Sequence, residues 1–547
     1  MNLLGDALNN RLVATVFLVV ILAALLFSPS TSKIRGEGPD VNSRPKLIVV
    51  LVIDQFRYDY LVRFRPYFVK RGFNLLLSGA NFVDCRYDYA TTVTGPAHAS
   101  LFTGAYPDVH GIVGNDWYDP SLHRRVNCVE DPATRAVGSD GPGASPIKLI
   151  GTTIGDELRL ESNFQSKVIA ISLKDRAAIL PGGHTANAAY WYDPKNGHFV
   201  SSTYYMQALP SWVAAFNDSS TAKPYCGKAW EALPETPGTG GKVLSEFHSA
   251  PNERCPDENF VRWLEGTPYM NEMELKLAAK AVKAERLGQR PATDLLAVSL
   301  SVNDSVGHAK GPYSSEVADV TIRTDRYLAD FIEELDRSVG LDKVWIAFSS
   351  DHGVAPSPLF IKVHRLGPGS APSAQLIKDV VERALTQNFG ADQWVDDVEE
   401  PYLSFNQRVL SQHRVDRPKA EAVAAQATSS IPGVAAAFGR TQLLAGSVPD
   451  NLLVRKVLHS LNNRRGGDVF FVLEPFSVPV SKESETTHGT PWSYDAQVPL
   501  VLWGSRFQPG TFAISCQPID LAPTLAAALG INQPSGVEGH PLNEALK

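Results

Sequence analysis

The chain has 547 residues, of which 44% are hydrophobic and 20% charged, and its formal net charge at pH 7 is −7. This composition is typical of a folded globular protein, and the length suffices for one large α/β domain with insertions or for about two to three ordinary domains. The negative charge, with no basic face visible in the sequence, argues against nucleic acid as a dedicated partner.

The N-terminus begins with a hydrophobic segment. A run without charged residues, apolar apart from Thr15, extends from Leu12 to Phe27 and is preceded by Arg11. A run of this length is typical of a signal-peptide core and is shorter than the ~20 residues of a relaxed membrane span, so export is favoured over permanent anchoring. We therefore predict that residues 1–33 are a signal peptide or, alternatively, an N-terminal membrane anchor, and that the protein is periplasmic or otherwise exported.

Four segments have the pattern of strands buried on both faces. The first, PKLIVVLVIDQF, runs from Pro45 to Phe56. The later segments that repeat this pattern are 294–308, 342–353 and 497–504. Amphipathic helical patterns lie between them, for example over 269–288 and 315–340. The alternation predicts an α/β fold over residues 44–547, with a doubly wound, mainly parallel central sheet and helices on both faces.

Two intervals, about 190–265 and about 365–480, interrupt this alternation. The first is rich in Trp, Tyr, Pro and Gly, and the second has the pattern of a small α+β unit. We interpret both as cap subdomains inserted over the strand edge, where the shape of a substrate would be sensed.

The chain has five cysteines and no Cys-x-x-Cys pair. This number is compatible with one or two disulfides in an oxidising compartment, or with buried thiols. We expect Cys226 to pair with Cys255 inside the first insertion, and Cys85 to pair with Cys128.

Polar residues follow three of the predicted strands. Asp54 ends the first, Asn303 and Asp304 end the second, and Asp351 with His352 ends the third. An aspartate after one strand is usually a turn former or helix cap. Ligands of such sheets collect at the carboxyl ends of the strands, so three strands with this feature predict a shared site.

Two further histidines extend this set. His308 follows Asp304 by four residues, and His488 lies in a loop bounded by Gly and Pro. Oxygen and imidazole ligands in threes and fours suit Zn²⁺. The candidate ligands, enough for two metals without any cysteine, are Asp54, Asp304, His308, Asp351, His352 and His488. Two metals ~3.5–4 Å apart can hold the attacking and departing oxygens of an in-line displacement at phosphorus.

The segment from 89 to 116 offers a nucleophile. It is short of charge, rich in Gly and Pro, and places Thr91, Thr92 and Thr94 before Pro96. A threonine hydroxyl is nearly inert at neutral pH unless a base or metal removes its proton. The segment is either a loop leading into a helix or the place where one hydroxyl is presented to the metals.

Five motifs, taken in order, resemble the alkaline phosphatase superfamily and most closely its PafA-like branch, the periplasmic, phosphate-irrepressible, threonine-nucleophile alkaline phosphatases. The motifs are VIDQFRYDYL, TTVTGPAHASLFTGAYPDVHGI, SVNDSVGH, SSDHG and HGTPW. The resemblance extends from about Lys46 to the C-terminus. It implies hydrolysis of small-molecule phosphate monoesters through a covalent phosphothreonine, two Zn²⁺ per chain, and a monomer.

The resemblance also assigns roles to residues. Thr94 becomes the nucleophile and a metal ligand, and His98 a supporting or structural histidine. The zinc that activates Thr94 would be bound by Asp54, Asp351 and His352. The second zinc, which stabilises the leaving oxygen and later supplies hydroxide, would be bound by Asp304, His308 and His488.

The resemblance implies a phosphate clamp made of Asn115, Lys174 and Arg176. Lys174 and Arg176 are two residues apart and would face the same way in an extended segment, although solvated surface charge is the other interpretation of that spacing. A monoester dianion gains from such donors. Phosphodiesterase relatives lack the Lys and Arg pair, so a phosphodiesterase or nucleotide pyrophosphatase built on the same metals is the alternative function.

Two other functions are less consistent with the sequence. A sulfatase of this superfamily needs a Cys or Ser within C/S-x-P-x-R, whereas Cys85 is followed by RYDY. A metal-binding or membrane-anchored scaffold without turnover would not need every candidate ligand and the threonine.

Overall fold

The computed structural model describes residues 44–218, 222–247, 255–479 and 484–547. The predicted signal peptide or anchor at residues 1–33 lies outside the described residues. Within these four ranges, no helix combines the length and the apolar character needed to cross a membrane.

A mixed sheet, eleven-stranded across the described residues, forms the centre of the fold. Numbered along the chain and given in their order across the sheet, its strands are β19 (Gly510–Cys516), β2 (Ala80–Arg86), β18 (Gln497–Trp503), β13 (Val344–Ser349), β1 (Leu47–Ile53), β12 (Asp294–Leu300), β7 (Val168–Ser172), β8 (Ala188–Asp193), β9 (His198–Ser202), β5 (Glu130–Val137) and β6 (Pro142–Ala144).

The central strands β13, β1, β12, β7 and β8 are parallel, which confirms the predicted mainly parallel α/β sheet. β18 is an exception, because it pairs antiparallel with β13 and with β2. Its apolar run resembles that of β1, and burial on both faces does not by itself determine strand direction.

The helices of the described residues are α1 (Tyr58–Arg63), α2 (Phe73–Leu76), α3 (Thr94–Thr103), α4 (Pro107–His110), α5 (Ile154–Glu161), α6 (Asp175–Gly182), α7 (Ser211–Asp218), α8 (Glu258–Glu265), α9 (Pro268–Ala284), α10 (Val302–Lys310), α11 (Ser315–Ser338), α12 (Pro358–His364), α13 (Ala374–Phe389), α14 (Gln407–Gln412), α15 (Arg417–Ser429), α16 (Arg440–Leu444), α17 (Leu452–His459), α18 (Ser493–Ala496) and α19 (Leu521–Leu529).

Helices cover both faces of the central sheet, as β1 illustrates. Its sequence LIVVLVI is buried throughout. The odd-numbered residues from Leu47 to Ile53 pack into one hydrophobic cluster with α9 and α11. The even-numbered residues from Ile48 to Val52 pack into a second cluster with α3 and α19. The doubly wound arrangement predicted from the sequence is therefore present.

Three smaller sheets lie outside the central one in the described part of the chain. Their strands are β3 (Asp116–Asp119) with β4 (Arg124–Asn127), β10 (Trp230–Glu231) with β11 (Val243–Ser245), and β14 (Val395–Glu399), β15 (Tyr402–Phe405), β17 (Val469–Leu473) and β16 (Val434–Gly439) in that order. The four-stranded sheet has a hydrophobic core of its own, to which α13 and α15 contribute.

The cysteines follow the prediction in part. Cys226 and Cys255 form a disulfide, as expected. The predicted bond between Cys85 and Cys128 is wrong, since both are buried free thiols. The reason is strand pairing, because Cys85 lies in β2 directly opposite Cys516 of β19. This neighbour comes from the far end of the chain and could not be read from local sequence.

Candidate active site

Three carboxylates meet at the carboxyl edge of the central sheet. In the strand register Ile53 lies opposite Leu300, and Val52 lies opposite Ser349, so β1, β12 and β13 end at the same level. Asp54 follows β1 directly, Asp304 lies in the first turn of α10, and Asp351 follows β13 by two residues. All three are buried.

The first group of candidate ligands is formed by Asp54, Asp351 and His352. Nε2 of His352 lies 3.4 Å from Oδ1 of Asp54 and 3.4 Å from Oδ2 of Asp351. The residues come from β1 and β13, which are adjacent in the sheet. The structure therefore brings together the three residues that the sequence analysis placed around one metal.

The second group is formed by Asp304, His308 and His488. Oδ1 of Asp304 lies 3.2 Å from Nε2 of His308 and 3.5 Å from Nε2 of His488. The two groups adjoin, because the rings of His352 and His488 stack with centroids 3.5 Å apart. Asp304 lies between them: ligand atoms of Asp54, Asp304 and His352 are all within 4.8 Å of one another, as are those of the second group.

The three histidines share one orientation. In each, Nδ1 faces a backbone carbonyl oxygen: His308 that of Thr486 (2.8 Å), His352 that of Gly353 (3.0 Å) and His488 that of Thr92 (2.9 Å). Because a carbonyl oxygen only accepts, Nδ1 carries a proton in each ring, so the neutral form of each histidine has its lone pair on Nε2. Metal-ligating histidines are commonly held in this way.

Three of the candidate ligand atoms are buried without any hydrogen-bond partner in the described structure. They are Oδ1 of Asp54, Oδ2 of Asp351 and Nε2 of His352. Buried acceptors left unsatisfied are costly, and native proteins rarely retain them without a reason. All three are acceptors, so a cation bound among them would satisfy them together. The residues therefore fit a metal ion.

The electrostatics of the carboxylates supports the same conclusion. Burial and the charge of Asp304 raise the pKa of Asp54, and burial and the charge of Asp54 raise the pKa of Asp351 well above its usual value. Burial opposes ionisation of Asp304 too, but Lys174 and His308 hold its pKa well below normal. Burial lowers the pKa of His308, but the charge of Asp304 outweighs burial and raises that pKa to about 9. Crowded carboxylates of this kind are stabilised by any cation that binds them.

Thr94 is the first residue of α3 and is 1% exposed. The chain on both sides of it is anchored to other candidate residues. The carbonyl of Thr92 accepts from His488, and the N–H of Gly95 donates to Oδ1 of Asn115 at 2.7 Å. Nδ1 of His98 lies 2.9 Å from the Thr94 carbonyl oxygen, which is a supporting contact of the kind expected for this histidine.

The predicted phosphate clamp is divided between two cavities. Asn115 lines one of about 360 Å³ together with His308 and His488, and its amide nitrogen is available because Gly95 occupies only Oδ1. Lys174 and Arg176 line another of about 610 Å³. Nζ of Lys174 donates to Asp54 and Asp304, at 2.6 Å in each case.

Residues 174–176 do not form the extended segment in which Lys174 and Arg176 would face the same way. Lys174 has extended φ and ψ angles but is the N-cap of α6, so Arg176 already lies in the first turn of that helix. The helix forms because apolar residues after Arg176 pack into the core beneath it. Nε of Arg176 is buried and has no hydrogen-bond partner in the described structure, which leaves a donor for a ligand.

The sequence analysis missed Gln55. Its side-chain amide donates to Oδ1 of Asp304 at 2.6 Å, and its backbone N–H donates to Oδ1 of Asp351 at 3.0 Å, so it holds a carboxylate of each group. The sequence does carry a signal for the role of Gln55, namely Gly307, because glycine is unfavourable for helix formation and yet lies within α10. A Cβ at Gly307 would collide with Oε1 of Gln55, so the glycine makes room for that side chain.

Comparison with known proteins agrees with this geometry. The chain matches the family described as Type I phosphodiesterase / nucleotide pyrophosphatase over residues 48–494. It is 34% identical to alkaline phosphatase PafA of Elizabethkingia meningoseptica over 520 residues, 92% of this chain and 95% of that protein. A Myroides odoratus protein named calcium-transporting ATPase is 35% identical over 524 residues, 92% and 95% of the two chains.

A solved structure gives the same result. The crystal structure of alkaline phosphatase PafA superposes with a TM-score of 0.85 at 33% identity, covering 92% of this chain and 99% of that one. The fold is thus alkaline phosphatase-like. The chain belongs to the Type I phosphodiesterase / nucleotide pyrophosphatase family and, within it, to the PafA-like alkaline phosphatases, and is therefore a phosphatase.

Proposed function

We propose that the protein hydrolyses phosphate monoesters through a covalent phosphothreonine on Thr94, with two Zn²⁺ per chain, and releases inorganic phosphate. The proposal rests on two groups of candidate ligands that share Asp304. Within each group, one ligand atom from every residue lies within 4.8 Å of the others. The name of the PafA relative supports hydrolysis of phosphate esters. Nothing in the described residues supports the transport activity in the name of the Myroides relative.

Carboxylate and imidazole ligands without thiolates suit Zn²⁺. One zinc would be held by Asp54, Asp351 and His352, with Oγ1 of Thr94 as a further ligand. The other would be held by Asp304, His308 and His488. When bound, the ions promote ionisation of a hydroxyl or water and stabilise charge on the leaving oxygen.

Thr94 then acts on phosphorus in two steps. Its Oγ1 loses its proton and forms a new bond to phosphorus while the bond from phosphorus to the ester oxygen breaks, and the departing oxygen takes up a proton to leave as the alcohol. Water next loses a proton and attacks the same phosphorus, and the bond to Oγ1 breaks, which reprotonates Thr94 and releases phosphate. Thr94 begins a ten-residue helix, and the positive end of the helix dipole at its N-terminus favours a bound anion.

Asn115, Lys174 and Arg176 would hold the non-bridging oxygens of the phosphate. Each offers donors, and Nε of Arg176 lacks a partner in the described structure. A monoester dianion presents more charge than a diester, so it gains more from two cations in a site that is short of water. The clamp therefore favours monoesters.

Turnover of p-nitrophenyl phosphate by Thr94→Ala, with Thr94→Ser as the matched control, tests the proposal. We expect the alanine variant to lose at least about 10³-fold in kcat/KM, since the nucleophile is gone, and the serine variant to retain most activity. A chelator should abolish activity and Zn²⁺ should restore it. An active alanine variant would exclude Thr94 as the nucleophile.

The alternative, a phosphodiesterase or nucleotide pyrophosphatase, is favoured by the description of the family that the chain matches. The double variant Lys174→Ala/Arg176→Ala separates the two functions, with p-nitrophenyl phosphate and bis-p-nitrophenyl phosphate as substrates. We expect kcat/KM for the monoester to fall at least about 10²-fold more than that for the diester. Equal losses would support the alternative.

We also propose that residues 1–33 direct export and either are removed or tether the protein to a membrane, and that a monomeric catalytic domain spans 44–547, with insertions at about 190–265 and 365–480. Mass determination of the exported protein and its elution volume in gel filtration test these points. A full-length cytoplasmic product, or a dimer, would contradict them.

A further inference from the structure

The cavity of about 360 Å³ opens beside the candidate active site, next to Asn115, His308 and His488. Its lining includes His308 and His488, which belong to the group proposed to face the leaving oxygen, whereas Lys174 and Arg176 line the other cavity. In an in-line displacement the leaving oxygen lies opposite the nucleophile. If the proposed function holds, the alcohol half of the substrate must extend into this cavity.

The cavity is strongly acidic. Four acidic side chains line it, those of Asp116, Asp397, Glu399 and Glu400, against two basic groups, the guanidinium of Arg125 and the imidazole of His308, which faces Asp304. Arg125 is already engaged, because it pairs with Asp397 at 2.9 Å and with Glu399. Asp116 and Glu400 are half-buried. Neither forms an ion pair with any of the described residues.

The pKa of Glu400 reflects the lack of a positively charged partner. Burial and the neighbouring Asp495 carboxylate raise the pKa of Glu400 to about 8. A carboxyl group shifts in this direction when it is desolvated beside a like charge and no cation compensates. A positive group placed in the cavity would relieve both effects.

The rest of the lining also fits a cation. Trp117 and Tyr402 contribute aromatic surface, and aromatic faces attract positive charge. The Trp117 ring already binds one cation, because the guanidinium of Arg465 lies 5.1 Å from its centroid. Thr91, which is 2% exposed, lines the same cavity, and its Oγ1 has no hydrogen-bond partner within the described structure. Unused acceptors and aromatic surface thus surround one space.

We propose that this cavity binds the alcohol half of the substrate and selects monoesters whose leaving group carries a positive charge, such as a quaternary ammonium, over neutral leaving groups of the same shape. The selection rests on Asp116 and Glu400, the two carboxylates without a cation. This inference depends on the proposed function, because it assigns a substrate class to that site.

Phosphocholine and 3,3-dimethylbutyl phosphate form a matched pair of substrates, nearly identical in shape and different in charge. Because the ammonium also makes choline the better leaving group, the readout is the change in the ratio of their kcat/KM values between variants. In assays above about pH 8, where Glu400 is ionised despite its raised pKa, we expect Glu400→Gln and Asp116→Asn each to lower the ratio by about threefold to tenfold, with the neutral substrate changing less than about twofold. Asp140→Asn, which removes the same charge from an exposed position outside the cavity, should leave the ratio unchanged.

A ratio that stays constant in both cavity variants while both substrates are hydrolysed would overturn the assignment of the cavity and leave the proposed function intact. A wild-type protein that hydrolyses p-nitrophenyl phosphate in a Thr94-dependent manner but not phosphocholine would overturn the cavity assignment alone, and one that hydrolyses none of the three substrates would overturn both. Should Glu400→Gln fail to fold by circular dichroism, Asp116→Asn alone decides the outcome, since it lies on a different strand and hairpin.

Discussion

Lys174 donates a hydrogen bond to Asp304 at the centre of the candidate metal site, with Nζ 2.6 Å from Oδ2. The same ammonium lies 2.6 Å from Oδ2 of Asp54, so it bridges carboxylates of the two ligand groups. A metal ion bound to these carboxylates would repel a neighbouring ammonium. Metal binding should therefore release Lys174 from the carboxylates and free it for the substrate phosphate.

We predict that Lys174→Met destabilises the metal-free protein and raises its affinity for Zn²⁺. Loss of the ammonium removes the cation that Asp54 and Asp304 share, at a cost of about 3–5 kcal/mol in the free energy of unfolding. The same carboxylates no longer have a cation that competes with the metal. Thermal unfolding of the metal-free protein and competition with a chelator measure the two effects.

Lys167→Met is the matched control, because Lys167 pairs with Glu285 at 2.6 Å away from the candidate ligands. It should leave the affinity for Zn²⁺ unchanged. If Lys174→Met also binds Zn²⁺ with wild-type affinity, Lys174 does not compete with the metal.

Gly307→Ala should weaken metal binding even though alanine is the better helix former. The new Cβ would displace the side chain of Gln55, which orients Asp304. Loss of such a supporting contact typically costs about 10–100-fold in metal affinity or activity. In the double variant Gln55→Ala/Gly307→Ala the clash is gone, so stability should recover while the affinity stays low. Wild-type affinity in Gly307→Ala would show that Gln55 has no such role.

Much of this site could be predicted from local sequence. Asp54, Asp304 and Asp351 follow apolar runs long enough to identify buried strands, and parallel strands bring their carboxyl ends to one edge. The assignment of His488 to the second group came from the family resemblance, because its loop carries no strand signal. The strand arrangement alone could not have placed it.

Other features depend on contacts that no local pattern encodes. β18 is antiparallel because of its neighbours β13 and β2, and Cys85 faces Cys516 because β2 and β19 are adjacent. Lys174 is the N-cap of a helix because the residues that follow it pack inward. The sequence analysis considered only an extended segment, in which Lys174 and Arg176 would face the same way. Gln55 was missed because an amide beside Asp54 has no distinctive sequence pattern.

His110 should make the protein less stable in acid. It is fully buried, Nδ1 accepts from the N–H of Ile112, Nε2 contacts Ser100, and burial lowers its pKa from 6.5 to about 3. Since the unfolded chain takes up this proton near pH 6.5, the stability contributed by neutral His110 is complete above that pH. It falls by about 1.4 kcal/mol per pH unit as the pH drops towards 3.

Urea unfolding at several pH values between 7 and 4 measures this effect in the wild type and in His110→Gln. The glutamine variant should show a flatter dependence of the unfolding free energy on pH, because one titrating group is removed. Parallel curves for the two proteins would contradict the assignment of a depressed pKa to His110.

The disulfide between Cys226 and Cys255 should stabilise the segment that it closes, which lies within the proposed first insertion. The bonded residues are 29 positions apart, and closing a loop of this length removes about 3–4 kcal/mol of chain entropy from the unfolded state. Cys226→Ser/Cys255→Ser should lose a comparable free energy of unfolding, whereas Cys128→Ser, at a buried free thiol, serves as the control for loss of sulfur. No loss in the double variant would mean that the bond does not form in solution.

The zinc content of the purified protein, together with the ion positions located by anomalous scattering, tests the central claim most directly. The account predicts two ions per chain, one beside His352 and the other between His308 and His488, with Oγ1 of Thr94 within bonding distance of a zinc. A single ion, no ion, or a Thr94 oxygen remote from both positions would contradict it.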